Sequence, residues 1–544
     1  MKRTKIALSG LALLAVGAMA LTACSSGSGG NGEKTQSNGG GDASAIIRVN
    51  GSEPQNPLLP SDTNEVGGGK ILDSIFAGLA YYDGNGKLVN DMAESIKVDD
   101  PTDLTITIKK GEKFTNGQEL TADSFIKAWQ YGALLSNKML SQSWFADIEG
   151  FSDAKDSPLT GLKKVDDYTF TVKLNAPVAT DWSQRLGYSA FYPLPDVAFD
   201  DMKSFGEHPI GNGPYKLQSD SAWQHDVQID LVKNDQYTGG RQAKNGGLTI
   251  VFYTTQDAAY ADLQGGNVDV IDAIPPSAFG TFEQTLGDRA VNQPAAIFQS
   301  FTIPGNAAHF TGEEGQLRKE AISMAINREQ ITQKIFNGTR TPASDFTSPV
   351  INGWSDKIPG SEVLKYNPEE AKKLWAQADG ISKWSGTFQI AYNADGGHKE
   401  WVDAVTNSIK NTLGIDASGK SYVDFATLRN DVTKRTIKTA FRTGWQADYP
   451  GQYNFLQPLY GTGASSNDSD YSNKDFDKLI AEGAAASDPA AATADYQKAQ
   501  EILFKDLPAI PLWYSNLTGG YADGVHNVTY GWNSVPLYYE ITKG

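Results

Sequence analysis

A single cysteine, Cys24, stands in a chain of 544 residues. No disulfide can form within the chain, so a fold of this length has to rest on buried apolar side chains and satisfied hydrogen bonds. At roughly 150 residues per domain, the body after the first few dozen residues has room for two to four domains.

The cysteine also sits at an informative place. Lys2, Arg3 and Lys5 precede an apolar run from Ile6 to Ala20, broken only by Ser9, Gly10 and Gly17, which is the pattern of a secretory signal peptide over residues 1–23. The run is shorter than the roughly 20 apolar residues a spanning helix needs. Leu21-Thr22-Ala23-Cys24 resembles a bacterial lipobox. That resemblance implies cleavage before Cys24 and a diacylglycerol on its sulfur, and two acyl chains at about 0.8 kcal/mol per buried methylene are enough for lasting attachment. Residues 24–44 are rich in Gly, Ser and Asn and read as a flexible tether.

Loss of Lys2, Arg3 and Lys5 leaves 44 basic against 64 acidic side chains, a net charge of −20. Nucleic acid and anionic lipid are poor partners for such a surface, so contact with a membrane is expected through the lipid anchor only. The expected location is the outer face of the bacterial cell membrane.

Along the body, Leu104–Ile108, Tyr168–Leu174 and Val227–Leu231 alternate apolar and polar residues as half-buried strands do. Helix signals are interleaved with them. Asn367-Pro368-Glu369-Glu370 has the cap, proline and acidic first turn of a helix start, Asp488-Pro489 opens another, and Trp401, Val405 and Ile409 recur every four residues. The content is mixed α/β.

Enzyme signatures are scarce. The five histidines are never closer than 17 residues, so no local zinc pair exists, and no G-x-S-x-G elbow is present. Gly414–Ser421 satisfies the G-x-x-x-x-G-K-S expression of a phosphate loop. A helix leads into it, where phosphate chemistry requires a strand before and a helix after, so it reads as a helix-to-strand turn. The expectation is a protein that is not an enzyme and uses no cofactor or metal.

Three further segments carry a family resemblance: Phe76-Ala77-Gly78-Leu79 running to Asp83-Gly84-Asn85-Gly86, Lys110-Gly111-Glu112-Lys113-Phe114-Thr115-Asn116-Gly117 running to Phe125, and Gly211-Asn212-Gly213-Pro214-Tyr215. In order and spacing they resemble the extracellular solute-binding proteins of peptide and nickel type that serve ABC importers. Their own chemistry is structural: Asn116-Gly117 suits a tight hairpin, and Thr121 suits the cap of a helix that buries Phe125 and Trp129. The resemblance implies a two-lobed α/β fold of venus-flytrap type with an extra subdomain inserted in the first lobe. Its expected boundaries are 45–76, 200–302 and 516–544 for lobe I, 77–199 for the insertion and 303–515 for lobe II, with crossings near 302 and 516.

Ala440-Phe441-Arg442-Thr443-Gly444-Trp445-Gln446-Ala447-Asp448-Tyr449-Pro450 resembles the R-x-G-W-x-A-D-Y motif of oligopeptide-binding members. Read alone, an Asp before Tyr-Pro is a turn former. The resemblance assigns Asp448 to the ligand's α-ammonium, and Arg442 and His398 to its carboxylate. It also assigns main-chain pairing with an extended peptide to Gly444 and Gln446 on one side and Asn64 and Val66 on the other, with Trp445 serving both the ligand site and strand packing. By themselves Gly444-Trp445 fit a core strand and His398 an exposed loop equally well. The implied function is capture of short peptides, as a monomer, for an ABC importer permease. Capture of another solute in the same fold, such as an oligosaccharide, a metal chelate or haem, is the alternative.

Overall fold

The alternating segments become strands Asp103–Ile108, Thr169–Lys173 and Gln228–Lys233, with every second side chain turned inward at least at the start of each. The helix signals materialise as Pro368–Ile381, capped by Asn367 through the Glu370 N–H, and as Lys399–Leu413 and Pro489–Asp506. The computed structural model describes residues 42–544 except 395, 396, 424, 465 and 487. Cys24, the signal segment and the tether as far as residue 41 lie outside the described residues. The phosphate-loop look-alike is a helix-to-strand turn, with Gly414 left-handed at φ 71° after the helix and strand Ala417–Tyr422 beyond it.

The fold is two-lobed α/β. One mixed sheet threads both lobes in the order Ala417–Tyr422, Phe388–Asn393, Ala440–Gln446, Ala290–Thr302, Ala509–Tyr521, Val270–Ile271, Ile46–Gly51, Gly247–Phe252, Gln228–Lys233, Tyr215–Leu217. The two long antiparallel strands at its centre, Ala290–Thr302 and Ala509–Tyr521, carry the chain between the lobes. Their register breaks between Pro294 and Phe298, and there the core changes hands. Ala295 and Leu517 pack with the first lobe, whereas Ala296 and Tyr514 pack with the second. A bulged pair of strands bends more readily than a regular one.

The first core holds Ile47, Ile71, Phe76 and Ile250 and runs on into the inserted subdomain through Leu104, Phe125 and Trp129. That subdomain is an antiparallel sheet of Ala93–Asp100, Asp103–Ile108, Thr169–Lys173 and Leu162–Asp166. Helix Ala122–Ala133, with Thr121 at its cap, lays Phe125 and Trp129 against Phe170. The hairpin before it differs from the two-residue turn that Asn116-Gly117 suggests. Gly117 alone is left-handed, at φ 88°, and Phe114 pairs with Gln118 around a three-residue loop while Asn116 Oδ1 accepts the Gln118 N–H. In such a loop one left-handed residue suffices.

In the second lobe Asp345 is fully buried and accepts hydrogen bonds from the Thr347 N–H and from the Thr347 and Tyr514 hydroxyls. Burial outweighs those bonds and pushes its carboxyl up from 3.8 to about 6. The neutral form is therefore the one the fold prefers, so its contribution to stability is complete below pH 3.8 and is lost as pH rises through about 6. At 1.36 kcal/mol per unit this amounts to about 3 kcal/mol. Asp345→Asn, uncharged throughout, is expected to gain on the wild type in melting temperature from pH 4 to pH 7. A constant gap across that range would contradict the assignment.

Candidate functional site

Strand Ala440–Gln446 is hydrogen-bonded to the crossing strand from Phe441 opposite Thr302 to Gln446 opposite Ile297. On its other edge it pairs with Phe388–Asn393 only at Ala440 and Phe441. The Ala447 N–H reaches the Ala296 carbonyl. By the alternation of an antiparallel ladder, residues 443 and 445 face the crossing strand too, and Gly444 and Gln446 aim their N–H and C=O groups at the open edge. A side chain at Gly444 would put a Cβ 2.9 Å from the Phe298 carbonyl oxygen.

Two cavities lie along this strand. One, of about 400 Å³, is in the second lobe and is walled by Phe441, Arg442, Gly444, Trp445, Leu428 and Tyr460, with the Arg429–Asp468 ion pair on its rim. The other, of about 460 Å³, lies between the lobes. Gln446 and Asp448 stand on one wall; Asn64, Glu65 and Val66 stand on the opposite wall, with Tyr188 and Trp532 beside them. Val66 is 50% exposed although it begins helix Val66–Ile75, because it faces this cleft and not the core. The Glu65 side chain caps that helix at the Gly68 N–H.

Asp448 follows the strand where the chain turns toward helix Tyr453–Tyr460. Asn454, on the first turn of that helix, accepts the Asp448 N–H at 2.9 Å and the Trp445 indole N–H at 3.1 Å, and donates its amide to Asp448 Oδ2 at 2.9 Å. This set of partners fixes which way the amide points. Asp448 is exposed to the open cleft; the protein packed around it still desolvates the carboxyl enough to raise it above its usual value despite the bond from Asn454. Among the described residues no cation forms an ion pair with it; Lys70, on the same cleft, is held by Asp272.

Arg442 donates from Nε to Asn393 Oδ1 at 2.8 Å and lines the second-lobe cavity. His398 precedes helix Lys399–Leu413, where Trp401 donates its indole N–H to His398 Nδ1 at 3.1 Å, and neither cavity includes it among its walls. The structure therefore gathers Asp448, Gln446, Asn64 and Val66 at one cavity and Arg442, Gly444 and Trp445 at the other. Asn454, Tyr188 and Trp532 went unrecognised in the sequence. An Asn six residues after an Asp carries no local signal, and the two aromatics reach the cleft from distant segments, Tyr188 from 260 residues before Asp448 and Trp532 from 84 residues after it.

Among the described residues no group of three or more His, Cys, Asp or Glu could hold a metal, and no helix is long and apolar enough to cross a membrane. The family model for bacterial extracellular solute-binding proteins, family 5, matches residues 87–467. The chain is 27% identical over 487 residues to the periplasmic oligopeptide-binding protein OppA of Salmonella typhimurium, covering 87% of both proteins. Among solved structures, the unliganded open form of the murein tripeptide binding protein MppA superposes with a TM-score of 0.81 at 22% identity, covering 92% of this chain and 98% of that one. OppA of Haemophilus influenzae in complex with the peptide RPPGFSPFR superposes at 0.67 and 24% identity, covering 92% and 99%. With the family model spanning well over half its length and the two-lobed frame shared throughout, the chain belongs to the family 5 bacterial extracellular solute-binding proteins.

Proposed function

We propose that this protein is a lipid-anchored receptor that captures short peptides in the interlobe cleft and delivers them to an ABC importer. The observation that carries the reading is Asp448: a carboxylate on the cleft wall, its pKa raised by its surroundings and without an ion-pair partner among the described residues, at the end of a strand whose outer edge is open. A peptide supplies both missing parts. Its α-ammonium pairs with Asp448, and its main chain adds to the free edge at Gly444 and Gln446, with Asn64 and Val66 opposite. Main-chain pairing ignores side-chain identity, so many sequences are accepted.

Arg442 is the basic group suited to a ligand carboxylate, lying on the same strand six residues before Asp448. His398 remains a proposed second partner for that carboxylate. Similarity to proteins named for oligopeptide binding supports the peptide reading. Lipidation of Cys24 would keep the receptor at the outer face of the membrane, beside the permease. Ligand bridging both lobes would favour a closed form, which the importer need only recognise to sense occupancy.

The test is calorimetric titration with one alanine pentapeptide in free-amino and N-acetylated forms. The free form is expected to bind about 100-fold more tightly, since loss of a partly desolvated charge pair costs about 3 kcal/mol. Equal affinity for the two forms would remove Asp448 from its role, and binding of an oligosaccharide in place of either would favour the other solute class.

A further inference from the structure

The turn that carries Asp448 is gripped from behind by the inserted subdomain. Tyr449, the next residue, is buried and donates its hydroxyl to Asp181 at 3.1 Å from each carboxylate oxygen. Arg185, one helical turn after Asp181, bonds Asp181 at 2.8 Å and Asp147 at 2.7 Å. Its guanidinium carbon lies over the rings of both Tyr449 and Tyr453, 5.7 Å from each ring centre. Tyr453 directly precedes Asn454, the residue that orients the Asp448 carboxylate. Trp144 completes the contact, stacking on Tyr188 at 3.9 Å and meeting Tyr449 edge-on at 6.2 Å.

Both ends of the Asp448 turn are thus tied to a single side chain of another subdomain. The tie suits arginine: a planar fork that serves two carboxylates while its charged centre lies within cation–π reach of two aromatic rings. A lysine can neutralise the carboxylates but cannot hold both rings. The network also stands outside the ligand cleft, since Asp147, Asp181 and Arg185 are not among the cleft walls. It acts on ligand only through the turn.

We infer that the inserted subdomain is a working part of the ligand site, with Arg185 as a positioning residue that holds Asp448 in place through Tyr449 and Tyr453. The inference rests on the peptide reading above, in which Asp448 receives the α-ammonium. A carboxylate kept in place needs no rearrangement when the ligand arrives, and preorganisation of this kind raises affinity without adding a contact. Freed from the subdomain, the turn would have to be ordered at the expense of binding.

Two conservative variants test this, Arg185→Lys and Tyr449→Phe, each titrated with the free-amino and N-acetylated alanine pentapeptides and each melted thermally. Both variants are expected to lose about tenfold in affinity for the free peptide, the scale of one charge-assisted hydrogen bond. Affinity for the blocked peptide should change less than about twofold, because that ligand does not use Asp448. The ratio between the two forms then contracts while melting stays within a few degrees of the wild type. A purely structural role predicts a different result, with both peptides weakened together or neither weakened, and either outcome in both variants overturns the inference. A wild type that fails to distinguish the two peptides would instead sink the ammonium reading, and this inference with it.

Discussion

Asp448→Asn is expected to lower affinity for a free-amino peptide by about two orders of magnitude, the largest single-residue effect on binding that this site predicts. Breaking a buried charge pair costs about 3–5 kcal/mol, and the lower end applies because water still reaches Asp448 in the open cleft. About 3 kcal/mol is roughly 100-fold. Asparagine preserves the shape and leaves the backbone bond to Asn454 intact, so the fold should be undisturbed. The same residue sets a pH signature. Binding needs the ionised carboxylate, and its affinity is complete above the carboxyl's raised value and lost as pH falls through it. Calorimetry at pH 7 and at several points down to pH 4 should show an acid limb in the wild type that the asparagine variant lacks. A change of less than about threefold at pH 7, or the same limb in both proteins, would exclude Asp448 as the ammonium partner.

Gly211→Ala is expected to cost about 3 kcal/mol or more in stability, the scale of a backbone that must shift to admit a methyl group. A Cβ at this position would fall 1.8 Å from the Ile75 carbonyl oxygen and 2.7 Å from its carbon. Main-chain atoms cannot swing aside as a side chain does. The neighbouring bonds show what would be lost. The Gly213 N–H donates to that same Ile75 carbonyl, the Thr115 N–H donates to the Gly211 carbonyl, and Asn212 bonds both the N–H and the C=O of Ala77. The glycine-rich turn is therefore a knot joining the end of the first helix, the hairpin of the inserted subdomain and the first-lobe sheet.

Gly117→Ala serves as the control. Gly117 has φ 88° with nothing within 4 Å of a Cβ, so only the left-handed backbone is penalised, by about 1–2 kcal/mol. Thermal scans should therefore show a markedly larger drop for Gly211→Ala than for Gly117→Ala. Equal drops would mean that the knot yields more easily than its geometry indicates.

Much of the local structure was readable from residues alone, because its causes lie within a few positions of one another. Asn367 and Asp488 cap their helices through N–H groups two or three residues on, and the alternating strands bury every second side chain wherever one face meets a core. The turn at Gly414 followed from the same short-range logic, since a helix running into Gly excludes the strand that a phosphate loop requires. The hairpin at Asn116-Gly117 was less legible. Two-residue and three-residue loops both end in a left-handed glycine, and the choice depended on where Phe114 met Gln118.

The candidate site divides along the same line. The motif from Arg442 to Asp448 marks a strand and a turn in one dimension, and its resemblance to peptide-binding relatives names the residues to watch. What surrounds Asp448 was settled only when the chain closed on itself: Asn64 and Val66 across the cleft, Trp532 from the C-terminal tail, and a hydroxyl on Tyr449 meeting Asp181, 268 positions earlier. Strand, helix and cap preferences act over a few residues, so the order of amino acids determines them directly. Whether a carboxylate is left without a cation depends on which distant side chains the packing of two lobes brings beside it, and that only the tertiary structure decided.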